Sequence, residues 1–207
     1  MRTFAGLRWW YLFPFAAGLA LLGSFYLDAS AQAWIAHHQS ADMKNFMRSV
    51  SRFGDWPAHV MLGFILLLLA YWRRSHRWMR VFATMILACA LAGTAARVIK
   101  ISTGRTRPAV QTEAGWNGPR FSSRYNAFPS GHTAISTAFF ATLVFASWRI
   151  GLVLLVVPML IAFSRMYVGA HHLSDVVGAA LIGFAIAYVI TRWIPQTIPN
   201  PKSAIRN

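Results

Sequence analysis

The sequence predicts an all-α protein built as a bundle of six transmembrane helices. Of its 207 residues, 57% are hydrophobic and only 12% are charged, whereas a soluble domain usually carries about 25% charged residues. The hydrophobic residues also fall in long uninterrupted blocks, and a membrane span needs roughly 20 of them. Composition and block length together favour a membrane protein over a soluble one.

Each apolar block is predicted to form one span. The six blocks cover residues 9–27, 57–72, 81–99, 132–148, 150–163 and 176–194. Pro14 and Pro158 lie inside spans, where membrane helices tolerate proline better than soluble helices do. Because little length is left for a soluble domain, residues 1–194 are predicted to be a single membrane-embedded domain. Residues 195–207 contain three prolines and no apolar period, which predicts a short C-terminal tail.

The first block has a second interpretation. Arg2 and Arg8, the apolar run and the small residues Ala29-Ser-Ala31 resemble a secretory signal with its cleavage site. The run over 9–27 is longer than the core of a typical signal, which is about 7–15 residues. A retained first span is therefore preferred, and its removal would leave five spans without moving the motifs described below.

The formal net charge of +15 fits a membrane protein whose cytoplasmic loops are basic. The basic loop 73–80 is accordingly predicted to be cytoplasmic together with both termini, while 28–56, 100–131 and 164–175 face outward. Nucleic-acid binding is not predicted, because the cations do not gather on one soluble face. Cys89 is the only cysteine, so no intramolecular disulfide can form.

The segment 28–56 is long enough to contain an amphipathic helix at the membrane surface. Its residues with apolar side chains suited to contact lipid are Trp34, Ile35, Phe46, Met47, Val50 and Phe53. The segment is either a lid or membrane-surface element, or a simple connection between two spans. Both interpretations stay open at this stage.

Three short segments carry the ionisable residues of interest. They are Lys100–Pro108, Pro129–His132 and Ser164–Asp175. Each lies beside the end of a predicted span, and together they supply fixed cations, two histidines in the motifs and one carboxylate. Such an inventory suits the binding of a phosphate and its transfer to a histidine.

In the second segment, Ser130 is a favoured residue for capping a helix that begins near His132. Gly131 lets the backbone approach a ligand closely, and a helix N-terminus favours an anion such as phosphate. Taken alone, the segment is better explained as a capped helix with a histidine at the membrane interface.

In the third segment, His171 and Asp175 are four residues apart and would share one face of a helix. A carboxylate there can accept a hydrogen bond from one imidazole nitrogen and leave the other free to attack. Asp175 opens an apolar run, where an ionisable residue is costly and usually functional. Arg165 can grip phosphate oxygens with two N–H groups.

The first segment adds Lys100 and Arg107, whose alternative role is to extend along the helix toward the lipid head groups. Arg97 and Arg105 are assigned either to supporting positions behind the site or to lipid anchoring. No spacing argument places these two arginines on the phosphorus, so their roles stay open.

A metal mechanism is not predicted, and neither is any cofactor. Metal pairs that act on phosphates need several carboxylates or histidines, and the chain has five acidic residues. Asp28, Asp42 and Asp55 are assigned to the first outer loop, which leaves Glu113 and Asp175 near the motifs. Fixed cations can provide the charge stabilisation instead.

In this order, Lys-x6-Arg-Pro, Pro-Ser-Gly-His and Ser-Arg-x5-His-x3-Asp resemble the signature of the type 2 phosphatidic acid phosphatase family. That family includes vanadium haloperoxidases and bacterial acid phosphatases. The resemblance implies that His171 is the nucleophile, that Asp175 orients it and that His132 protonates the leaving group. It also implies that the phosphate is bound by Lys100, Arg107, Ser130, Gly131 and Arg165. His172 matches no motif position.

We therefore expect a metal-independent membrane lipid phosphatase that forms a phosphohistidine, with its site at the outer face of a bacterial-type inner membrane. Undecaprenyl diphosphate is the leading substrate, and phosphatidylglycerol phosphate, phosphatidic acid and lipid A 1-phosphate are alternatives. A lipid-to-lipid phosphotransferase shares the same first step. A haloperoxidase is disfavoured by the six spans, and a transporter by ionisable groups clustered at one end of them. The choice of lipid is assigned to segments 28–56 and 109–128, and no oligomeric state is predicted.

Overall fold

The computed structural model describes residues 8–110 and 115–194. Within those ranges the chain forms eight α-helices, one turn of 3-10 helix over Ser123–Tyr125, and no strand. The predicted all-α class is therefore confirmed. The helices are α1 (Arg8–His38), α2 (Ala41–Arg52), α3 (Trp56–Trp72), α4 (His76–Thr103), α5 (Gly131–Ala146), α6 (Trp148–Leu154), α7 (Val156–Tyr167) and α8 (Leu173–Trp193). The predicted tail 195–207 and Glu113 lie outside the described residues.

Each predicted span corresponds to a helix or a pair of helices, but their lengths differ. Four segments are long and apolar enough to cross a membrane: α1 from Leu12, α4, the α6–α7 pair and α8. The α2–α3 pair, bent by 51°, is a fifth if it counts as one span, and α5 is a shorter apolar helix. These lengths establish a multi-pass membrane protein, while the count of six spans stays a prediction.

The structure corrects the prediction that 28–56 is a loop. Helix α1 continues through Asp28 to His38, because residues 28–38 contain neither glycine nor proline. The chain breaks at Gln39, and Ser40 then caps α2 by accepting a hydrogen bond from the Met43 N–H at 3.3 Å. Helix α2 is amphipathic, as this segment was predicted to contain, with Phe46 exposed. The prediction that Ile35 and Met47 contact lipid was wrong, because both are buried in a cluster with Tyr167.

The centre of the bundle is a contact between small side chains. Helix α5 packs chiefly against α8 and α4. The residues buried in this contact are Ala88, Ala92, Ala96, Ala134, Ala138, Ala179 and Ile190. Small residues let membrane helices approach closely and pack by van der Waals contact. Conversely, large apolar side chains such as Phe13, Phe64 and Leu68 are exposed on α1 and α3, as expected of surfaces covered by lipid.

Four helix ends meet at one end of the bundle. Helix α4 stops at Gly104, whose left-handed backbone (φ 58°) suits glycine. The α5 start joins the α8 start through a hydrogen bond from the Ser130 N–H to the Asp175 carbonyl at 3.1 Å. The α7 end is close behind, since the His171 N–H donates to the Arg165 carbonyl at 3.2 Å. All three sequence motifs therefore reach the same end.

Candidate active site

The His171 imidazole lies in the short connection between α7 and α8 and is almost fully buried. Its Nδ1 is 2.7 Å from the Ala127 carbonyl oxygen. Because a carbonyl can only accept a hydrogen bond, this contact places the proton on Nδ1 and leaves a lone pair on Nε2. The ring is thereby prepared with one nitrogen held and the other available for attack.

The position of Asp175 differs from the predicted one. His171 precedes the first residue of α8, so the two side chains do not share a helix face. The nearest Asp175 oxygen is 3.6 Å from His171 Nδ1, which is too long for a good hydrogen bond. Asp175 instead accepts a hydrogen bond from the His172 N–H at 2.7 Å, which caps the helix. The predicted hydrogen bond to the imidazole is thus replaced by the Ala127 carbonyl, with the carboxylate close behind.

Arg105 is the main partner of the Asp175 carboxylate. Its Nη1 donates to Asp175 Oδ1 at 2.5 Å and to Ser174 Oγ at 2.6 Å. Its Nη2 donates to Asp28 Oδ2 at 2.6 Å. Ser174 also donates to Asp28, through its N–H at 2.8 Å and its hydroxyl at 2.6 Å. One guanidinium therefore connects α1 with the start of α8.

The surroundings of Arg105 explain how a charged group is accommodated there. The guanidinium carbon lies 5.2 Å from the Phe25 ring centre and 4.9 Å from that of Trp116. Aromatic faces attract cations at such distances. The sequence left two roles open for Arg105. The geometry matches a supporting position behind the site and does not match lipid anchoring. Arg97, by contrast, is exposed on α4.

Lys100, Arg107 and Arg165 form the cationic part of the site. They lie close enough for Arg107 and Arg165 to repel the Lys100 charge. Lys100 Nζ is also near Gly131, since a Cβ at Gly131 would lie 3.7 Å from it. Within the described residues, the buried Nε atoms of Arg107 and Arg165 have no hydrogen-bond partner. Because buried polar atoms are normally paired, these N–H groups are available to an anionic ligand.

Ser130 and Gly131 begin α5 as predicted. The Ser130 side chain is fully buried, and its oxygen accepts hydrogen bonds from the Thr133 N–H at 3.5 Å and from the Thr133 hydroxyl at 3.0 Å. Its own hydroxyl hydrogen can still donate to a ligand. The free N–H groups at this helix start add a favourable environment for an anion.

His132, in the first turn of α5, contacts a residue that the sequence did not connect with it. Its Nε2 is 2.8 Å from Asp55 Oδ1, at the junction of α2 and α3. The same junction reaches Arg165, whose Nη1 donates to Ser51 Oγ at 2.5 Å. The segment 51–55 therefore contacts two of the predicted site residues.

Burial lowers the pKa of the His171 imidazole to about 4, and the charges of Lys100 and Arg165 act in the same direction against the opposing effect of Asp175. The ring is consequently neutral near pH 7, which a nucleophile requires. His172, which matched no motif, caps α8 and has Nε2 3.2 Å from the Thr106 carbonyl. Its contacts are structural.

A cavity of about 230 Å³ adjoins His171 on the side of α1. It lies between α1, the chain after Arg107 and the α7–α8 connection. Its polar lining includes Asp28, Gln32, Gln39 and Lys44. The cavity places the first two helices beside the predicted nucleophile.

The structure corrects the prediction that only Glu113 and Asp175 among the acidic residues lie near the motifs. Asp28 and Asp55, assigned from the sequence to a distant loop, both contact the site, through Arg105 and His132 respectively. Each carboxylate at the site thus faces a cationic or imidazole partner. Within the ranges 8–110 and 115–194, no group of three or more histidine, cysteine, aspartate or glutamate side chains has a geometry suited to a metal ion.

Sequence reasoning missed Asp28 and Asp55 as members of this end of the bundle. One available signal was the ionisable Asp28 within an otherwise apolar helix, since such residues are usually functional. Asp55 and the Ala127 carbonyl gave no comparable signal, because their roles depend on tertiary contacts. The predicted residues themselves all lie at this end, and their catalytic and phosphate-binding roles stay predictions.

Comparison with known proteins adds a family and several relatives. The family model for the PAP2 superfamily matches residues 81–199. The chain is 30% identical over 80 residues to the undecaprenyl-diphosphatase BcrC of Bacillus subtilis, covering 39% of this chain and 42% of that protein. It is 31% identical over 106 residues to the lipid A 1-phosphatase of Rhizobium johnstonii, covering 49% and 43%. The chain thus spans less than half the length of either curated relative.

A solved structure resembles the whole fold. The crystal structure of a transmembrane PAP2 type phosphatidylglycerolphosphate phosphatase from Bacillus subtilis matches with a TM-score of 0.68 and 18% identity. The match covers 90% of this chain and 98% of that one. At this identity the likeness concerns the fold alone, and it includes the helices that precede the region matched by the family model.

Proposed function

Because the chain belongs to the PAP2 superfamily, we propose that it is a membrane lipid phosphatase that acts through a phosphohistidine on His171. One observation carries this proposal. His171 Nδ1 is held by the Ala127 carbonyl, so the lone pair of Nε2 is available beside a group of fixed cations. A neutral imidazole next to an anion-binding site is suited to nucleophilic attack on phosphorus.

In the proposed first step, His171 Nε2 attacks the terminal phosphorus and forms a P–N bond while the P–O bond to the leaving group breaks. The leaving group is the lipid alcohol for a phosphate monoester and the lipid monophosphate for a diphosphate, and His132 gives a proton to its departing oxygen. Lys100, Arg107 and Arg165 stabilise the negative charge on the phosphoryl oxygens, aided by the Ser130 hydroxyl and the Gly131 N–H. Little covalent chemistry is required of these groups, because positioning and charge stabilisation dominate phosphoryl transfer.

In the second step, water attacks the phosphohistidine, His132 takes a proton from that water, and the P–N bond breaks to release phosphate. His171 is thereby returned to its neutral form with the proton on Nδ1. Asp175 lies 3.6 Å from Nδ1, where its charge favours the positive ring that develops during attack and release. The neighbouring Arg105 keeps the carboxylate in this position.

Undecaprenyl diphosphate is the leading substrate, supported by the similarity to a relative named for that activity. Lipid A 1-phosphate is supported in the same way, while phosphatidylglycerol phosphate and phosphatidic acid are further alternatives. All of them keep a lipid tail in the bilayer while the head group enters a basic site. Transfer of the phosphoryl group to a second lipid is the alternative to hydrolysis.

The proposed location is a bacterial-type inner membrane with the site on its outer face. The junction between α3 and α4 contains Arg73 and Arg74, with Arg77 in the first turn of α4, and it lies at the opposite end of the bundle from the site. Basic loops are retained in the cytoplasm, so the site would face the periplasm or the exterior.

The deciding experiment measures phosphate release by the purified protein in detergent from the four lipids. We expect release from at least one lipid, and a loss of about 10²–10⁴-fold in His132→Ala, as is typical for a general acid–base. His171→Ala should abolish both release and an acid-labile label on the protein. Arg97→Gln, at an exposed position on α4, is the matched control.

Equal activity of the two histidine variants and the parent would overturn the assignment. A parent that releases no phosphate but labels a second lipid would show transfer in place of hydrolysis.

A further inference from the structure

Asp55 makes a contact that neither the sequence motifs nor the family match includes. Its carboxylate oxygen Oδ1 is 2.8 Å from His132 Nε2, within hydrogen-bonding distance. Asp55 lies between α2 and α3, outside the residues 81–199 matched by the family model. The contact is therefore contributed by a part of the chain with no assigned role.

The ordinary structural explanation for an aspartate at this position does not apply. Asp55 is the N-cap residue of α3, where aspartate usually accepts a hydrogen bond from a backbone N–H of the first turn. Here its side chain makes no such hydrogen bond. The carboxylate is instead directed to His132, so replacing it with an amide removes no cap from the helix.

The neighbouring residues fix the chain around this contact. Gly54 packs so closely on His132 that a Cβ there would lie 2.9 Å from His132 Cδ2 and 2.6 Å from Ile161 Cγ2. Ser51, at the end of α2, accepts a hydrogen bond from Arg165. Three contacts thus hold the segment 51–55 against the site, and the Asp55 position is set by the fold.

The charges around His132 make its contact with the Asp55 carboxylate electrostatically important. The other ionisable groups that face the ring are Arg165 from α7, His171 before α8, Lys100 from α4 and His59 from α3. Burial of the ring is the main effect that opposes a proton on His132, and these groups, which are cationic or become so on protonation, act in the same direction. Asp55 is the carboxylate in contact with the ring within the described residues.

We propose that Asp55 is a positioning residue for His132, whose carboxylate holds Nε2–H and stabilises the protonated ring. The inference rests on the proposed function, in which His132 is the general acid. With Nε2–H bonded to Asp55, the Nδ1 proton is the one given to the lipid oxygen. The carboxylate itself neither gains nor loses a proton, so the step stays balanced as written above.

The test separates ring charge from activity. We would label the histidines with ¹⁵N, titrate the protein in detergent micelles, and identify the His132 signal by its loss in His132→Gln. In Asp55→Asn the amide oxygen can still accept the hydrogen bond but the negative charge is gone. We expect the His132 midpoint to move lower, by about one pH unit or less because the Asp55 side chain is 56% exposed to solvent. Asp42→Asn, an exposed acid on α2, should leave it unchanged.

Activity supplies the second readout. In Asp55→Asn, the alkaline limb of the rate of phosphate release should also move to lower pH, and kcat at pH 8 should fall. Asp55→Glu should restore part of the limb position and part of kcat. An unchanged His132 midpoint in Asp55→Asn would overturn the proposal. A rise in kcat/KM of Asp55→Asn without a shift of the alkaline limb would also overturn the proposal, because Asp55 would then only obstruct access of the substrate to the site.

Failure of the proposed function gives a different result. If the parent releases no phosphate from any lipid while the midpoint still moves, the catalytic role falls together with the phosphatase assignment. The electrostatic coupling of Asp55 to His132 would then still stand.

Discussion

Arg105 binds Asp175 directly, with Nη1 2.5 Å from Oδ1, so the carboxylate closest to the predicted nucleophile is held by a cation from the first motif. The same guanidinium binds Asp28 of α1. An aspartate, an arginine and a second aspartate thus form a continuous chain of ion pairs from the first helix to the last. Its effect on catalysis and stability can be measured.

Replacing Arg105 should damage both the fold and the rate. Arg105→Gln leaves the buried Asp175 carboxylate and the partly buried Asp28 carboxylate without their cation, and loss of one partner of a buried pair costs about 3–5 kcal/mol. Arg105→Lys should also be poor, because one ammonium group cannot donate to both carboxylates in the fork geometry of arginine. Thermal unfolding in detergent and phosphate release measure the two effects. Arg97→Lys serves as the control, and full activity of Arg105→Lys would contradict the need for two donors.

Asp28→Asn should weaken the connection between α1 and α8. The amide cannot match a carboxylate that accepts from both Arg105 and Ser174, and hydrogen bonds to charged groups contribute about 1.5–3 kcal/mol each. We expect a lower melting temperature and a lower kcat with little change in KM, since Asp28 does not bind the phosphate. Asp42→Asn is the matched acid-to-amide control. A larger effect on KM than on kcat would place Asp28 in substrate binding.

The pH dependence of kcat/KM should have its acid limb well below the ordinary range of histidine. Burial lowers the pKa of His171 from 6.5 to about 4, so the ring stays neutral and nucleophilic as pH falls until that value is approached. The alkaline limb should follow loss of the proton from the general acid, giving a bell-shaped profile. A rate that falls as the pH is lowered from 7 to 6 would contradict the low His171 pKa, and a rate that does not fall at alkaline pH would contradict the general acid.

The lowered pKa of His171 also affects the stability of the fold, and the experiment must separate loss of activity from unfolding. A ring that is neutral in the folded protein contributes stability above pH 6.5, and this contribution is lost as the pH falls toward about 4. Tryptophan fluorescence recorded at each pH therefore accompanies the rate. An acid limb that coincides with unfolding would not report on His171.

Gly104→Ala should destabilise the site end of the bundle. Gly104 has φ 58°, and a Cβ there would collide with the Gly118 carbonyl oxygen. Strain in this backbone region alone costs about 1–3 kcal/mol, and the collision adds to it. Unfolding measurements on Gly104→Ala and Gly115→Ala provide the comparison, because a Cβ at Gly115 meets nothing within 4 Å. Equal melting temperatures would show that the loop moves aside at little cost.

Chelators should leave phosphate release unchanged. Asp28 and Asp175 are bonded to Arg105, and Asp55 is paired with His132, so the carboxylates are engaged by cationic or imidazole partners and the phosphate faces cations. We would assay the protein after EDTA treatment and after re-addition of Mg²⁺, with and without vanadate. Activity that is lost with EDTA and restored by Mg²⁺ would contradict metal independence. Activation by vanadate would favour the haloperoxidase alternative.

Much of the fold and the position of the motifs could be predicted because they depend on local patterns. Apolar blocks located the helices, and the Ser130 cap and the end of α4 at Gly104 follow from residue preferences. The extent of α1 beyond residue 27 was missed because its polar residues Asp28, Gln32 and His37 look like a loop when hydropathy alone is considered.

The contacts of Asp28 and Asp55 could not be predicted from sequence for a different reason. They join residues far apart in the chain, and the backbone path decides which acid meets which base. The same reason explains why the Ala127 carbonyl, and not Asp175, accepts the hydrogen bond from His171. This contact depends on where the chain before α5 passes the imidazole ring.

The contact between Asp28 and Ser174 also constrains the order of assembly. The two residues are 146 positions apart, and a ribosome adding about 5–20 residues per second needs roughly 7–30 s to synthesise the intervening chain. During that interval the Asp28 carboxylate lacks Ser174, and until Arg105 is made, 77 positions after Asp28, it also lacks its cation, inside a helix apolar enough to cross a membrane. Chains that stop before α8 would hold Arg105 between α1 and no second carboxylate, because Asp175 and Ser174 are missing, so the link from the first helix to the last forms only when synthesis reaches α8.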